Sequence, residues 1–267
     1  MKRSTLHSLL AAASFTLAAS YGVSSSAQDP AHPDLSGIWT LTKPINAAKT
    51  EDGKTPPLTP AAKAVYEKNL AMAKKGNRSF DGVSECLPPG MPYAQLLNKP
   101  FQVLQKPDAL YFLYQENRVP RWVYINQPHP PADEIDPTFM GDASAKWEGD
   151  TLVADIVGLN DKTVLDRSGL PHSANMKLTE RLSVKDGILT DRITINDPAN
   201  YSAPWTTVAT YKRAPAFFRI PEEVCATRVV QTHVDVNGKV AGTAVKKAAA
   251  KAATASAEPA KPATVKK

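Results

Sequence analysis

The 267-residue chain is poor in the residues and motifs that announce a chemistry. It has two cysteines, Cys86 and Cys225, and neither has a second Cys or a His close by, which argues against a thiolate metal site. It has no G-x-S-x-G, no H-E-x-x-H, no P-loop and no glycine-rich dinucleotide turn. Neither cysteine stands in a nucleophile context. No cofactor and no metal are therefore expected. Past residue 27, no stretch approaches the ~18 uninterrupted apolar residues of a membrane-crossing helix. Positive charge is also missing where a nucleic-acid binder needs it. The chain is +6 overall, but residues 239–267 carry +6 and residues 1–27 carry +2, which leaves residues 28–238 at −2. Nucleic-acid binding needs a basic folded face, so nucleic acid is not an expected partner.

The ends of the chain have recognisable compositions. Residues 1–27 read as an export signal: Lys2 and Arg3, an apolar run from Leu9 to Ala19, then small residues at Ser25-Ser26-Ala27. The expected location is periplasmic or secreted. Residues 239–267 are mostly Ala, Lys, Thr and Pro with no aromatic residue, and cannot bury enough surface to offset chain entropy. They are expected to form a disordered tail, either a solvated tether or a weak contact with an anionic envelope surface. In an oxidising compartment an even cysteine count suggests a Cys86–Cys225 disulfide; the alternative is two buried free thiols.

Residues 28–238 suit one domain. Thr59-Pro60 opens a helix that runs to about Lys75 and stops at Gly76, lying over the body. The rest reads as about nine strands. They include Leu35–Leu41, Phe101–Gln105, Leu110–Gln115, Val119–Ile125, Leu178–Val184, Ile188–Ile195 and Trp205–Tyr211. A hairpin turns on Gly149-Asp150, with Trp147 facing Leu152 and Ala145 facing Ala154. A second turns on Asp186-Gly187. Sequential hairpins without βαβ spacing point to an all-β antiparallel sheet closed on itself.

Strand alternation places charges on apolar faces. Glu180 sits among Leu178, Leu182 and Val184. Asp191 sits among Leu189, Ile193 and Ile195, and Arg121 among Val119, Val123 and Ile125. Asp155 lies on the mostly apolar second face of the central hairpin. Isolated buried charges are costly, so these groups need partners or a wet cavity. A barrel with a polar lumen accommodates them; solvent-facing strands, or a structural ion pair of Arg121 with Glu180 or Asp191, are the plainer alternatives. In the loops, His172 is a candidate proton shuttle or a surface histidine. Tyr201 and Trp205 would stack on a flat ligand or pack a turn. His129 with Asp133, Glu134 and Asp136 matches no trusted ligand spacing and reads as a solvated acidic loop.

Several segments resemble a group of largely uncharacterised exported bacterial proteins. These are Asp34-Leu35-Ser36-Gly37-Ile38-Trp39, Cys86-Leu87-Pro88-Pro89-Gly90-Met91-Pro92, Trp147–Asp155, Gly169-Leu170-Pro171-His172-Ser173, Glu180-Arg181, Asp197-Pro198 and Pro204-Trp205-Thr206. Trp-Glu-Gly-Asp-Thr-Leu-Val is the specific part. The resemblance implies export and a common fold but names no substrate. The chain departs from it at Asp142, where His is usual, and at Ile125–His129, which lacks an acidic-Gly-Arg run. Separately, Gly37-Ile38-Trp39 on a first strand is similar to the opening of lipocalin-type barrels, which favours a calycin-like barrel over a sandwich.

The expectation is an antiparallel calycin-like barrel of about nine strands with one peripheral helix, binding a small apolar or aromatic molecule with a polar or anionic handle. Arg121 would orient the handle, with Tyr114, Asp191, Tyr201 and Trp205 lining the site. An acid/base version would use His172 with Glu180 or Asp155, as a cofactor-independent lyase or isomerase. A non-catalytic carrier and a structural envelope protein are the alternatives.

Overall fold

The structure, a computed structural model, describes residues 32–223 and Cys225, with the backbone of two short strands, His233–Val234 and Val240–Ala241. The signal segment lies outside the described residues. So does the tail, apart from Val240–Ala241, which pairs with His233–Val234.

Nine strands succeed one another around a closed barrel. They are β1 Gly37–Leu41, β2 Phe101–Gln105, β3 Ala109–Tyr114, β4 Pro120–Ile125, β5 Asp142–Glu148, β6 Thr151–Val157, β7 Lys177–Lys185, β8 Ile188–Asn196 and β9 Trp205–Arg213. The barrel closes where β9 pairs with β1 through Leu41↔Tyr211 and Trp39↔Arg213. The hairpin registers follow the turn chemistry. Trp147 faces Leu152 and Ala145 faces Ala154 around Gly149-Asp150. Lys185 faces Ile188 around Asp186-Gly187, both in the left-handed region at φ 52° and 75°.

The expectation of an all-antiparallel sheet needs correction. β4 and β5 run parallel, joined by two pairs, Tyr124↔Ser144 and Ile125↔Ala145. The reason lies in the sixteen-residue connection, residues 126–141, which leaves one end of the barrel and returns to the other before β5 begins. A hairpin cannot do this; a long crossover can. The register leaves Pro120–Val123 without a ladder on that side. A proline at the start of a strand with one open side is well tolerated.

The two barrel ends differ. At one end lie the tight turns of β2–β3, β5–β6 and β7–β8. At the other, the cap end, lie the β1–β2 connection (residues 42–100), the β6–β7 loop (158–176) and the β8–β9 loop (197–204). The predicted helix is α1, Pro60–Lys74, with Thr59 accepting from the Ala62 amide. A second helix, α2 at Tyr93–Leu96, was not legible in the sequence. All four of its residues are buried, and it seals the cap end. It is too short for its apolar pattern to establish a helical period.

Three buried carboxylates pin the cap loops. Asp166 accepts from the amides of Ala48, Ser168 and Gly169 at 2.6–3.0 Å. Asp197 accepts from the amide and hydroxyl of Ser173, and Asp81 accepts from Tyr93 Oη. The chain beyond β9 runs back toward the cap end. Lys99 pairs with Glu223 at 3.0 Å, and Cys225 is disulfide-bonded to Cys86. Trp39 of the Gly37-Ile38-Trp39 motif is fully buried, donates to Leu35 O, and carries Arg213 over its ring at 4.4 Å.

Candidate functional site

Strand alternation sends Phe112 and Tyr114 of β3, Arg121 of β4, Glu180 of β7, Asp191 of β8 and Tyr211 of β9 into the barrel interior. Glu180 and Asp191 are fully buried and Arg121 is 1% exposed. Arg121 holds Glu180 with a two-pronged contact, Nη1 to Oε1 at 3.2 Å and Nη2 to Oε2. Its guanidinium lies 5.2 Å from the Phe112 ring. Burial pulls the Arg121 guanidinium toward losing its proton, and the charge of Glu180 overrides that, so Arg121 stays firmly protonated.

Asp191 is in a different state. Neither of its carboxyl oxygens has a hydrogen-bond partner among the described residues. Burial, reinforced by the negative charge of Glu180 and opposed by Arg121, raises its pKa well above the usual carboxylate range. The protonated form of Asp191 is thereby favoured, and in that form it can donate a hydrogen bond. Tyr114 Oη donates to Met91 Sδ at 3.9 Å, and burial raises its hydroxyl pKa as well. Tyr211 donates to Gln95 O at 2.7 Å, and its hydroxyl pKa is pushed far up by burial.

Other polar atoms of the interior share the condition of Asp191. Arg121 Nε, both amide atoms of Gln95 and Trp205 Nε1 are buried with no partner among the described residues. Buried polar groups are nearly always hydrogen-bonded, because each one left unsatisfied costs on the order of 1–3 kcal/mol. These groups come from β4, β8, β9 and the cap helix α2, and buried polar atoms left without protein partners suit an interior that meets a polar guest or water.

The remaining sequence candidates fall elsewhere. Asp155 does not face the interior. It is exposed on the outer wall and accepts from Thr179 Oγ1 at 2.9 Å. In a barrel one strand face looks inward, and Leu152, Ala154 and Ile156 already occupy it. His172 lies in the cap, with Nε2 3.0 Å from Thr163 Oγ1 and Nδ1 3.3 Å from Ser173 O. Burial lowers its pKa, so it is neutral there. Tyr201 packs the β8–β9 loop, donating to Pro171 O at 2.9 Å, with its ring 5.4 Å from that of Trp205. His129 meets Asp142, Nδ1 to Oδ1 at 2.5 Å, not the acidic loop residues. The described residues include no group of three potential metal ligands. Gln95 was missed because a glutamine in a Pro-rich loop carries no alternation signal.

Two clefts are relevant. One of about 340 Å³ lies in the wall between β4 and the segment before β5, lined by Val119, Pro120, Trp122, Phe139 and Met140 among others, with Arg121. The other, about 550 Å³, lies at the cap end among Arg78, Asp81, Lys99 and Arg167. There Arg78 is paired with Asp81, and Lys99 with Glu223.

Nine strands in sequential order, with one parallel join, close a calycin-like barrel around a buried polar interior. No family model and no curated protein matches the sequence. Solved structures with a similar fold include the REP1-NXSQ fatty acid transporter, 16% identical, covering 68% of this chain and 97% of that one at a TM-score of 0.33. A mutant of the fluorescent protein UnaG is 11% identical, covering 68% of this chain and 96% of that one at a TM-score of 0.31. At these identities the likeness extends to the barrel fold alone.

Proposed function

We propose that this chain is an exported small-molecule-binding protein whose barrel interior takes an apolar or aromatic molecule through a polar handle. The observation that carries the reading is the set of buried, unpartnered polar atoms on Asp191, Gln95, Arg121 and Trp205. A purely structural interior would do better with apolar residues at these positions. The Cys86–Cys225 disulfide supports export to an oxidising compartment. Catalytic use of the same interior would draw on Asp191, whose protonated form burial favours.

The test compares the wild-type protein with a Gln95→Leu/Asp191→Leu variant, both purified from a periplasm. If the interior is a binding site, the variant unfolds at a higher temperature and loses the small molecule that native mass spectrometry finds on the wild type. A variant that is less stable than the wild type, with unchanged bound mass, contradicts the proposal.

A further inference from the structure

The short β4–β5 pairing has a chemical consequence. Two residue pairs join these strands, and both lie at the far end of β4. Level with Arg121, the wall is completed by residues 138–141, which make no ladder with β4. Their backbone bonds go elsewhere. Thr138 N donates to Gly158 O at 2.9 Å and Thr138 O accepts from Asn160 N at 2.8 Å. Phe139 O accepts from Met91 N, and Gly141 N donates to Thr138 Oγ1. Gly158 fixes the approach, since a Cβ there would lie 2.3 Å from Ile135 Cγ2. The lip is thus held toward β6 and away from β4, so the seam is a built feature of the wall.

Both wall faces contribute to this seam. Trp122 and Tyr124 stand outside, 46% and 39% exposed, while Met140 and Ala143 are buried. Arg121 backs the cleft from the inner face and is 1% exposed, with its Nε unpartnered among the described residues. The cleft is therefore walled by exposed aromatic surface and backed by Arg121, whose guanidinium lies buried on the inner side. Its volume of about 340 Å³ falls within the range of small-ligand sites.

Charge then selects the guest. The guanidinium is already paired with Glu180, so it offers an entering anion no free counter-charge. The outer lip is acidic, with Asp142 in the cleft and Asp133, Glu134 and Asp136 on the preceding loop. An anion entering here would cross negative potential and then lose its hydration without a free counter-charge. A neutral oxygen acceptor meets neither obstacle, and Arg121 Nε behind the cleft has no partner among the described residues.

Resting on the interior-binding reading above, we propose that the β4–β5 seam is the binding cleft, and that it takes a neutral aromatic molecule bearing a carbonyl-type acceptor, held by Trp122 and Tyr124 with its oxygen toward Arg121. This narrows the handle from polar or anionic to uncharged.

The experiment uses two naphthalene probes, the neutral ketone prodan and the anion 8-anilinonaphthalene-1-sulfonate, titrated fluorimetrically against the mature, disulfide-bonded protein. The proposal expects prodan to bind at one site with blue-shifted emission, and the sulfonate at least tenfold more weakly. A Trp122→Ala/Tyr124→Ala variant should weaken prodan at least tenfold, while Phe217→Ala, at a ring that is 82% exposed and outside the cleft, should change nothing. Prodan binding that ignores the Trp122/Tyr124 change overturns the seam and leaves the interior reading standing. Tighter binding of the sulfonate overturns the neutral guest. Failure of both probes to bind overturns the seam and also removes support from the interior reading.

Discussion

The two buried carboxylates of the barrel should respond oppositely to the loss of charge. Glu180→Gln removes the partner of a guanidinium that is 1% exposed. Stranding one member of a buried ion pair costs about 3–5 kcal/mol. For a domain of this size that corresponds to a fall in melting temperature of roughly 6–20 °C. Asp191→Asn conserves shape and matches the uncharged form that burial favours; its cost at pH 4 should stay within about 1 kcal/mol, the range of a minor substitution. The pH dependence follows from the direction of the shift. The folded-state pKa of Asp191 is raised, so its contribution is fully present below the ordinary carboxylate value of about 3.9 and is lost as pH rises toward the folded value. A residue that does not titrate escapes that loss, so Asp191→Asn should gain on the wild type between pH 4 and pH 8. Guanidinium-chloride unfolding at both pH values measures this. A third variant, Arg121→Met/Glu180→Leu, should recover most of the stability lost in Glu180→Gln, since an apolar pair needs no counter-charge. Equal costs for Glu180→Gln and Asp191→Asn at pH 7, or a pH-independent Asp191→Asn difference, would refute the assignment of charge states.

Other predictions follow from single contacts. Cys225→Ser opens a loop with a sequence separation of 139 residues and should lower stability by up to about 5 kcal/mol in the chain-entropy model, read by comparing unfolding midpoints with and without reductant. His172 has a folded-state pKa lowered by burial, so its contribution is present above about 6.5 and lost as pH falls below it. His172→Gln should therefore flatten the decline in melting temperature between pH 7 and pH 5, and an unchanged slope would count against the buried neutral ring. Gly158→Ala forces a side chain onto φ +64° and against Ile135, which should cost on the order of 1–3 kcal/mol from backbone strain alone. The same variant should alter prodan affinity, because Gly158 O holds the lip of the seam.

Turn chemistry and alternation made much of the barrel legible. Gly149-Asp150 and Asp186-Gly187 set two hairpin registers, and period-two patterning turned Arg121, Glu180 and Asp191 inward. The same reasoning misplaced Asp155. Its outer strand face also carries Val153 and Val157, and apolar content alone does not tell a barrel's inside from a partly covered outside. The parallel β4–β5 join was invisible because it depends on where a sixteen-residue crossover lands, and no local residue encodes that. Gln95 was invisible because its burial comes from a helix of four residues wedged into the cap. His172 reads as a candidate proton shuttle by residue type, while its contacts with Thr163 Oγ1 and the Ser173 carbonyl depend on how the loop folds.

The central claim is that the polar atoms of the interior exist to meet a guest. An atomic-resolution crystal structure of the mature protein tests it most directly. The account predicts ordered ligand or water within hydrogen-bond distance of Asp191, the Gln95 amide and Arg121 Nε. A dry interior, with those same atoms partnered by protein groups or packed against apolar side chains, would contradict it.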